Sequence, residues 1–281
     1  YFMELGGWER AHGYAANEHL LEKYGNRVPV RENEWDNRHF WRVSNAEHLA
    51  MSEDCGIVNL SHFYMFDVEG PDHVELMEWI CAAKIGGDAN IGKGIYTHFL
   101  DDEGMVRADL TVIRMADRCR VVDGADAGPR DLRYVQRLAQ DKGFNVTVTD
   151  VSEKFVTIGI WGPNARATLQ KVVADPAGLT HEAFPFAAIK TIQIAGKDVT
   201  AFRISYVGEQ GWELHMRYED GLAVWDALRS TGVMPFGVET YANSRRMEKS
   251  LRLQNADLLT EYNLIESDLQ RPKVKEADFR G

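Results

Sequence analysis

The sequence predicts an α+β fold of two related lobes, each built from an antiparallel sheet and helices and packed against the other. Short apolar or alternating segments typical of strands are interleaved with segments of helical spacing. A strand followed by Gly-Pro-x and a helix occurs twice, at 68–72 and 160–164. No Pro- or Ser-rich linker separates the halves, so we expect them to pack closely.

The first half begins with an irregular segment at 1–45, rich in Trp, Asn, Arg and Glu. Asp72 fits the N-cap of a helix that extends through Ile80. An acidic turn at 101–104 joins two strands. The other predicted elements of this half are a helix at 46–55, strands at 57–60, 65–70, 95–100, 106–115 and 118–123, and a helix at 129–143.

The second half repeats this order of elements. Strands at 146–151 and 155–161 and a helix that begins at 162–164 precede it. Its own predicted strands are 189–194, 199–205 and 214–217, followed by a helix at 220–229. We therefore place a bilobal domain at 46–255 and a charged tail at 256–281 that leads towards a further C-terminal domain. Because the chain starts at Tyr1, we expect it to be a piece of a longer protein.

Composition narrows the classes of function. The 281 residues are 44% hydrophobic, which is enough to bury a sizeable core. The net charge of −11 argues against a nucleic-acid surface, which needs clustered Lys and Arg. No apolar run approaches the roughly 20 residues that span a bilayer, and the N-terminus lacks a signal-peptide pattern. We expect an intracellular protein without a membrane partner.

No metal site or nucleotide loop is predicted. The three cysteines are far apart, so buried thiols are expected. The nine histidines show no HxxxH or HExxH spacing. Gly86 to Gly94 ends in Gly-Lys-Gly but lacks the phosphate-loop frame, and Gly6-Gly7 precedes no βα unit.

Asp109 is the candidate catalytic residue. Alternation along 105–112 places Val106, Ala108, Leu110 and Val112 on one strand face and Arg107, Asp109 and Thr111 on the other. A carboxylate on a rigid strand can stabilise a cationic nitrogen or move a proton when partners balance its burial. The alternative is a solvated strand face.

The segment 205–213 has two glycines, two aromatic residues and two acids in nine positions. A carboxylate of this segment can accept two parallel hydrogen bonds from a 2-amino-4-oxo pterin ring, and Tyr206 or Trp212 can stack on it. The alternative is a bulged turn with surface acids.

A cationic segment follows at 245–252, where Arg245, Lys249 and Arg252 would share one side of a helix. Such a cluster can pair with an anionic glutamate tail; the alternative is a solvated charged helix.

These segments in order resemble the folate-binding aminomethyltransferase family, which includes the glycine-cleavage T-protein and the C-terminal folate portion of dimethylglycine and sarcosine dehydrogenases and oxidases. The resemblance spans nearly the whole chain. It rests on GIVNLS at 56–61, VEGPD at 68–72, DEGMVRADL at 102–110, GPNA at 162–165, SYVGEQGWE at 205–213 and RMEK at 246–249. The opening Gly7 to Arg10 and the strand after Asp109 are most similar to the flavin-dependent demethylase branch.

The resemblance implies a tetrahydrofolate-dependent transferase that captures the carbon of an N-methylamine-derived iminium as 5,10-methylenetetrahydrofolate. FAD would belong to a fused or partner oxidase domain, and the location would be the cytoplasm or the mitochondrial matrix. By the same resemblance Asp109 is the key aspartate and Tyr206 and Glu213 contact the pterin. Arg246, or alternatively Arg245, matches the family's arginine.

The sequence departs from the family pattern at Met105 and at Ser250-Leu251, and we expect this piece of the protein to lack the C-terminal β-barrel of the family. Two other functions stay open. One is a tetrahydrofolate-dependent O-, S- or N-demethylating methyltransferase that gives 5-methyltetrahydrofolate. The other is a folate-binding scaffold without catalysis, although the Lys-Gly-Cys-Tyr-x-Gly-Gln-Glu signature of that subgroup does not occur in the sequence.

Overall fold

The computed structural model describes residues 1–5, 7–28, 30, 41–269, 275 and 278–281. The chain divides into two compact units, one of Tyr1–Ser61 with Phe155–Leu251 and the other of His62–Lys154 with Arg252–Gly281. Each unit is α+β, and no closed barrel occurs in the described residues. The predicted domain bounds 1–45, 46–255 and 256–281 stay predictions, and their residues 6, 29, 31–40, 270–274, 276 and 277 lie outside the described residues.

The strands, in chain order, are β1 Phe2–Leu5, β2 Trp8–Ala11, β3 Gly56–Asn59, β4 Tyr64–Glu69, β5 Lys93–Leu100, β6 Val106–Arg114, β7 Arg118–Asp123, β8 Thr147–Asp150, β9 Phe155–Trp161, β10 Ile189–Ile194, β11 Lys197–Phe202, β12 Gly211–Arg217 and β13 Met234–Pro235.

The α-helices are α1 Leu20–Tyr24, α2 Trp41–Glu53, α3 His73–Ile80, α4 Gly128–Lys142, α5 Ala165–Gln170, α6 Gly221–Arg229 and α7 Arg246–Glu248. A π-helix at Thr240–Arg245 immediately precedes α7.

In the first unit, a six-stranded sheet has the order β10-β11-β12-β9-β3-β13. Its neighbouring strands are antiparallel, except that β13 pairs in parallel with β3. Helices α5 and α6 bury Leu169 and Val224 in the same core as Ile160 and Leu214 of the sheet. Because strand side chains alternate, the residues between these apolar positions lie on the opposite face of the sheet.

In the second unit, a five-stranded antiparallel sheet has the order β5-β6-β7-β4-β8. Its core contains Ala108, Leu110 and Val112 of β6 together with apolar residues of α3 and α4. The predicted apolar face of β6 is therefore confirmed for these positions. Helix α4 ends at Lys142, and the following Gly143 has the left-handed φ of 76° that suits a glycine cap.

The two Gly-Pro-x turns have the same geometry in the two units. Gly70 connects β4 to α3 with φ of 120°, and Gly162 connects β9 to α5 with φ of 139°. A Cβ at Gly70 would lie 2.6 Å from the carbonyl oxygen of Asn145, and one at Gly162 would lie 2.3 Å from that of Asp54. Glycine is needed at each turn because both the dihedral angle and the close approach exclude a side chain.

Three of the differences between the predicted and observed elements concern the candidate site and its surroundings. Helix α2 starts at Trp41 rather than residue 46. Strand β11 ends at Phe202 rather than 205, which leaves 203–210 as a loop before β12. The predicted cationic helix at 245–252 is instead the end of the π-helix and the three residues of α7. Arg245, Lys249 and Arg252 therefore share no regular helix side.

Candidate functional site

Asp109 lies on the face of β6 opposite the core of the second unit. Its neighbours Ala108 and Leu110 are buried in that core, and its own side chain is 12% exposed. Its direct cross-strand partner is His98 on β5. The backbone N–H of Asp109 donates to Gln254 Oε1 at 3.1 Å, so the strand position is tied to the segment after residue 252.

Burial raises the pKa of Asp109 to about 7, and a hydrogen bond from the Tyr96 hydroxyl opposes that rise. Oδ1 lies 3.5 Å from His98 Nε2 and accepts no hydrogen bond from any described residue. A carboxyl with this pKa exists in both protonation states near neutral pH. It can therefore accept a proton and return it, which is the property of a general acid–base group.

Arg107 does not share the surroundings of Asp109, although alternation predicted a common face. The β5–β6 register shifts between Phe99 and Leu100, beside Arg107. Its guanidinium carbon lies 4.1 Å from the centre of the Tyr134 ring, and Nε is 3.9 Å from Oδ1 of Asp131 on α4. A register irregularity re-aims side chains locally, which is the physical reason for the difference.

Glu213 lies on β12, on the face opposite the core of the first unit, with a side chain that is 10% exposed. His215, two residues further along the same face, places Nε2 3.3 Å from Glu213 Oε2. The other ring nitrogen, Nδ1, is 2.9 Å from the hydroxyl of Thr157 on β9. The imidazole is thus hydrogen-bonded through Nδ1, while Nε2 lies near the carboxylate without forming a hydrogen bond to a described residue.

Trp212 requires a correction. It was expected to stack on a pterin, but its side chain is fully buried in the core of the first unit, with its ring edge towards Phe184 at 5.9 Å between centroids. Adjacent strand residues point to opposite faces, so Trp212 and Glu213 cannot line the same surface. We leave Trp212 out of the candidate site.

Tyr206 lies in the loop between β11 and β12 and is half-buried. Its ring centroid is 5.3 Å from that of Tyr241, which stacks on Trp161 at 5.6 Å. Glu209 of the same loop accepts a hydrogen bond from Arg245 at 2.6 Å. The loop is therefore anchored at two points rather than being a plain hairpin turn.

The two candidate arginines make different contacts. Arg245 is buried and also donates to Glu248 at 2.7 Å. Arg246 donates through Nε to the carbonyl of Ala242 at 2.8 Å and through Nη1 to that of Leu251 at 3.1 Å. Both therefore stabilise the turn after the π-helix, and the predicted anion-binding role of Arg246 stays a prediction.

Other chemistry-bearing groups are placed as follows. All three cysteines are buried and free, and burial raises the pKa of Cys55 and Cys119 to about 12. Within the part of the chain that the structure describes, no group of three His, Cys, Asp or Glu side chains is arranged to hold a metal ion. Among the same residues, no helix has the length and apolar character needed to cross a membrane.

Comparison with known proteins assigns the family. The GCVT N-terminal domain family matches residues 1–274. The chain belongs to this family. Its fold is similar to a crystal structure of the glycine cleavage system aminomethyltransferase T from Bartonella henselae, with a TM-score of 0.73, 24% identity, and coverage of 96% of this chain and 64% of that one.

Among curated proteins, this GCVT N-terminal domain is 30% identical over 283 residues to the mitochondrial dimethylglycine dehydrogenase of Rattus norvegicus, covering 98% of this chain. It spans 31% of that relative's length. An aminomethyltransferase of Paraburkholderia phymatum is 27% identical over 236 residues, covering 84% of this chain and 63% of the relative. The chain is therefore a GCVT-family domain that is similar over most of its length to part of a dimethylglycine dehydrogenase and part of an aminomethyltransferase.

Four polar residues beside the candidate carboxyls escaped the sequence prediction. They are Tyr96, His98, Thr157 and His215. The histidine spacings match no metal-ligand pattern, so they do not single out His98 or His215. A same-face spacing of two along a strand, between Tyr96 and His98 and between Glu213 and His215, was the available signal. Cross-strand partners, in contrast, depend on register.

Proposed function

We propose that this domain binds tetrahydrofolate and captures the carbon of an N-methylamine-derived iminium as 5,10-methylenetetrahydrofolate. The observation that carries the proposal is Asp109, a buried carboxyl on a rigid strand whose pKa is raised to about 7. The relatives' names support this donor class, since dimethylglycine and sarcosine are N-methylamines. An oxidising component, with FAD as its cofactor, would supply the iminium from a fused domain or a separate subunit.

Asp109 would serve proton transfer. Tetrahydrofolate supplies the two nitrogen nucleophiles that take the carbon. Formation of the methylene bridge releases one N–H proton from each nitrogen, and both protons leave on the product amine, which departs as an ammonium ion. The carboxyl of Asp109 can accept a proton from one nitrogen and deliver it to the amine, because its two protonation states have similar free energies near neutral pH.

Glu213 would recognise the pterin. An ionised carboxylate accepts parallel hydrogen bonds from the 2-amino group and the adjacent ring N–H, as it does from an arginine fork. His215, 3.3 Å away, can donate to the same carboxylate and fix its orientation. The ring of Tyr206 offers an aromatic contact, while Arg246 would contribute to binding the anionic tail. We propose that the protein lies in the cytoplasm or the mitochondrial matrix. The related dimethylglycine dehydrogenase is named as a mitochondrial protein.

Calorimetric titration of the purified chain with tetrahydrofolate tests the binding step. We expect saturable binding that Glu213→Ala weakens and that the exposed control Glu182→Ala leaves unchanged. Binding that is absent in a folded chain, or equal in both variants, would contradict the proposal.

Turnover is tested with formaldehyde premixed with dimethylamine as the iminium source, measured above the uncatalysed rate. Asp109→Ala should abolish turnover and largely spare tetrahydrofolate affinity. Chromatography of the folate product decides between methylene- and methyl-tetrahydrofolate. Equal loss of affinity and turnover in the Asp109 and Glu213 variants would refute this division of roles.

A further inference from the structure

A second proton-binding group lies beside Asp109. His98 is 5% exposed, and its Nε2 is 3.5 Å from Asp109 Oδ1 across the β5–β6 pair. The hydroxyl of Tyr96 is 3.2 Å from the same Nε2 and also hydrogen-bonds the Asp109 carboxyl. The three side chains therefore form one connected cluster on the sheet face opposite the core, with the tyrosine hydroxyl between imidazole and carboxyl.

The proposed reaction moves two protons in each turnover, and a second proton-binding group beside the carboxyl allows both to be held at once. Two N–H protons leave the folate in each turnover, and both depart on the amine, whereas a carboxylate holds one proton at a time. We propose that His98 is the proton partner of Asp109 and holds one of these protons until Asp109 passes it to the departing amine. This inference rests on the proposed function for its catalytic consequence, but the pairing of the two groups does not.

The transfer conserves atoms and charge. Protonated Asp109 donates its proton to the Tyr96 oxygen while the Tyr96 hydroxyl donates its own proton to His98 Nε2. The products are a carboxylate, a neutral tyrosine and an imidazolium, and the reverse step returns the proton to Asp109. His98 acts through Asp109 and is therefore a positioning residue rather than a catalytic one.

Nearby charged residues of the same sheet form ion pairs with groups outside the cluster of Asp109, Tyr96 and His98. On the same sheet face, Arg120 of β7 donates to Asp67 of β4 at 2.7 Å, so these two charges compensate each other. Arg107 is directed to Asp131 on α4. From the segment after 252, the uncharged side chain of Gln254 accepts a hydrogen bond from the Asp109 backbone N–H.

The pairing is tested by NMR titration of the isotope-labelled full chain between pH 5 and 9, without folate. We expect the midpoint of the His98 imidazole signal to shift by about one pH unit or more in Asp109→Asn, as for strongly coupled groups. The Asp109 carboxyl signal should shift in His98→Gln and in Tyr96→Phe, and stay in place in the exposed control His181→Gln. Unchanged midpoints in Asp109→Asn and Tyr96→Phe would overturn the proposal, even if His98→Gln fails to fold.

Turnover provides the second readout. In His98→Gln, kcat should fall by about a hundredfold, with a small change in the KM for tetrahydrofolate and the loss of one limb of the pH–rate profile. Wild-type kcat and pH profile in this variant would refute the role of His98 in catalysis. If wild-type chain does not bind tetrahydrofolate, the proposed function fails, whereas the titration still decides whether His98 and Asp109 share protons.

Discussion

Replacing Asp109 by asparagine should stabilise the fold at neutral and alkaline pH. The substitution keeps the shape and polarity of the side chain but removes an ionisable group from a position where it is 12% exposed. Because a buried carboxylate loses hydration that its surroundings do not fully replace, its ionised form is costly in the folded state. Because ionisation is costly there, the pKa of Asp109 lies near neutrality, which suits proton transfer.

The size and sign of the effect follow from the pKa. Burial raises the pKa of Asp109 from the ordinary 3.8 to about 7, so the folded protein binds this proton more tightly than the unfolded chain does. The stabilising contribution is complete below pH 3.8 and is lost as the pH rises to 7. At about 1.4 kcal/mol per pH unit, the loss reaches roughly 4 kcal/mol.

Urea unfolding, monitored by tryptophan fluorescence, measures the free energy of unfolding of both proteins at several pH values from 5 to 8.5. The gain in unfolding free energy of Asp109→Asn over wild type should grow by about 1.4 kcal/mol per pH unit up to pH 7 and then level off. The control Asp141→Asn changes an aspartate that is 61% exposed and should show little pH dependence. A constant difference between Asp109→Asn and wild type at all pH values would refute the reasoning.

Three further predictions concern the first unit. Glu213→Gln should weaken tetrahydrofolate binding about ten- to hundredfold by removing the charge from a charge-assisted hydrogen-bond pair, with Glu182→Gln as the neutral comparison in calorimetry. Trp212→Phe should cost about 1–3 kcal/mol in urea unfolding with unchanged tetrahydrofolate affinity, and the opposite result would return the indole to the site. Gly162→Ala should lower the melting temperature more than Gly196→Ala, because both have positive φ but only the former meets a carbonyl oxygen; equal losses would contradict the close-contact argument.

Local sequence patterns were sufficient for features that depend on neighbours along the chain. Alternation placed Ala108 and Leu110 in the core and Asp109 on the other face of β6, as the structure has them. The Gly-Pro-x turns predicted strand-to-helix connections at Gly70 and Gly162 because a positive φ next to proline is a local requirement. These features follow from backbone geometry within a few residues.

Trp212 shows where local reasoning failed. The dense run of glycines and aromatic residues at 205–213 was interpreted as one loop, whereas the structure starts β12 at Gly211. Once the strand begins there, period-two alternation separates Trp212 from Glu213. The side of the sheet that becomes the core is decided by the apolar helices that cover it, here α5 and α6.

The sequence by itself determined the fold class, the family resemblance and the position of Asp109 on a strand, whereas Glu213 was expected before a strand and lies within β12. Only the tertiary structure brought His98 to Asp109, since these residues meet through the β5–β6 register. It also directed the donors of Arg246 to backbone carbonyls at the end of a π-helix. Side-chain direction follows from the local backbone, but the partner that a side chain meets follows from how distant strands align and which face is buried.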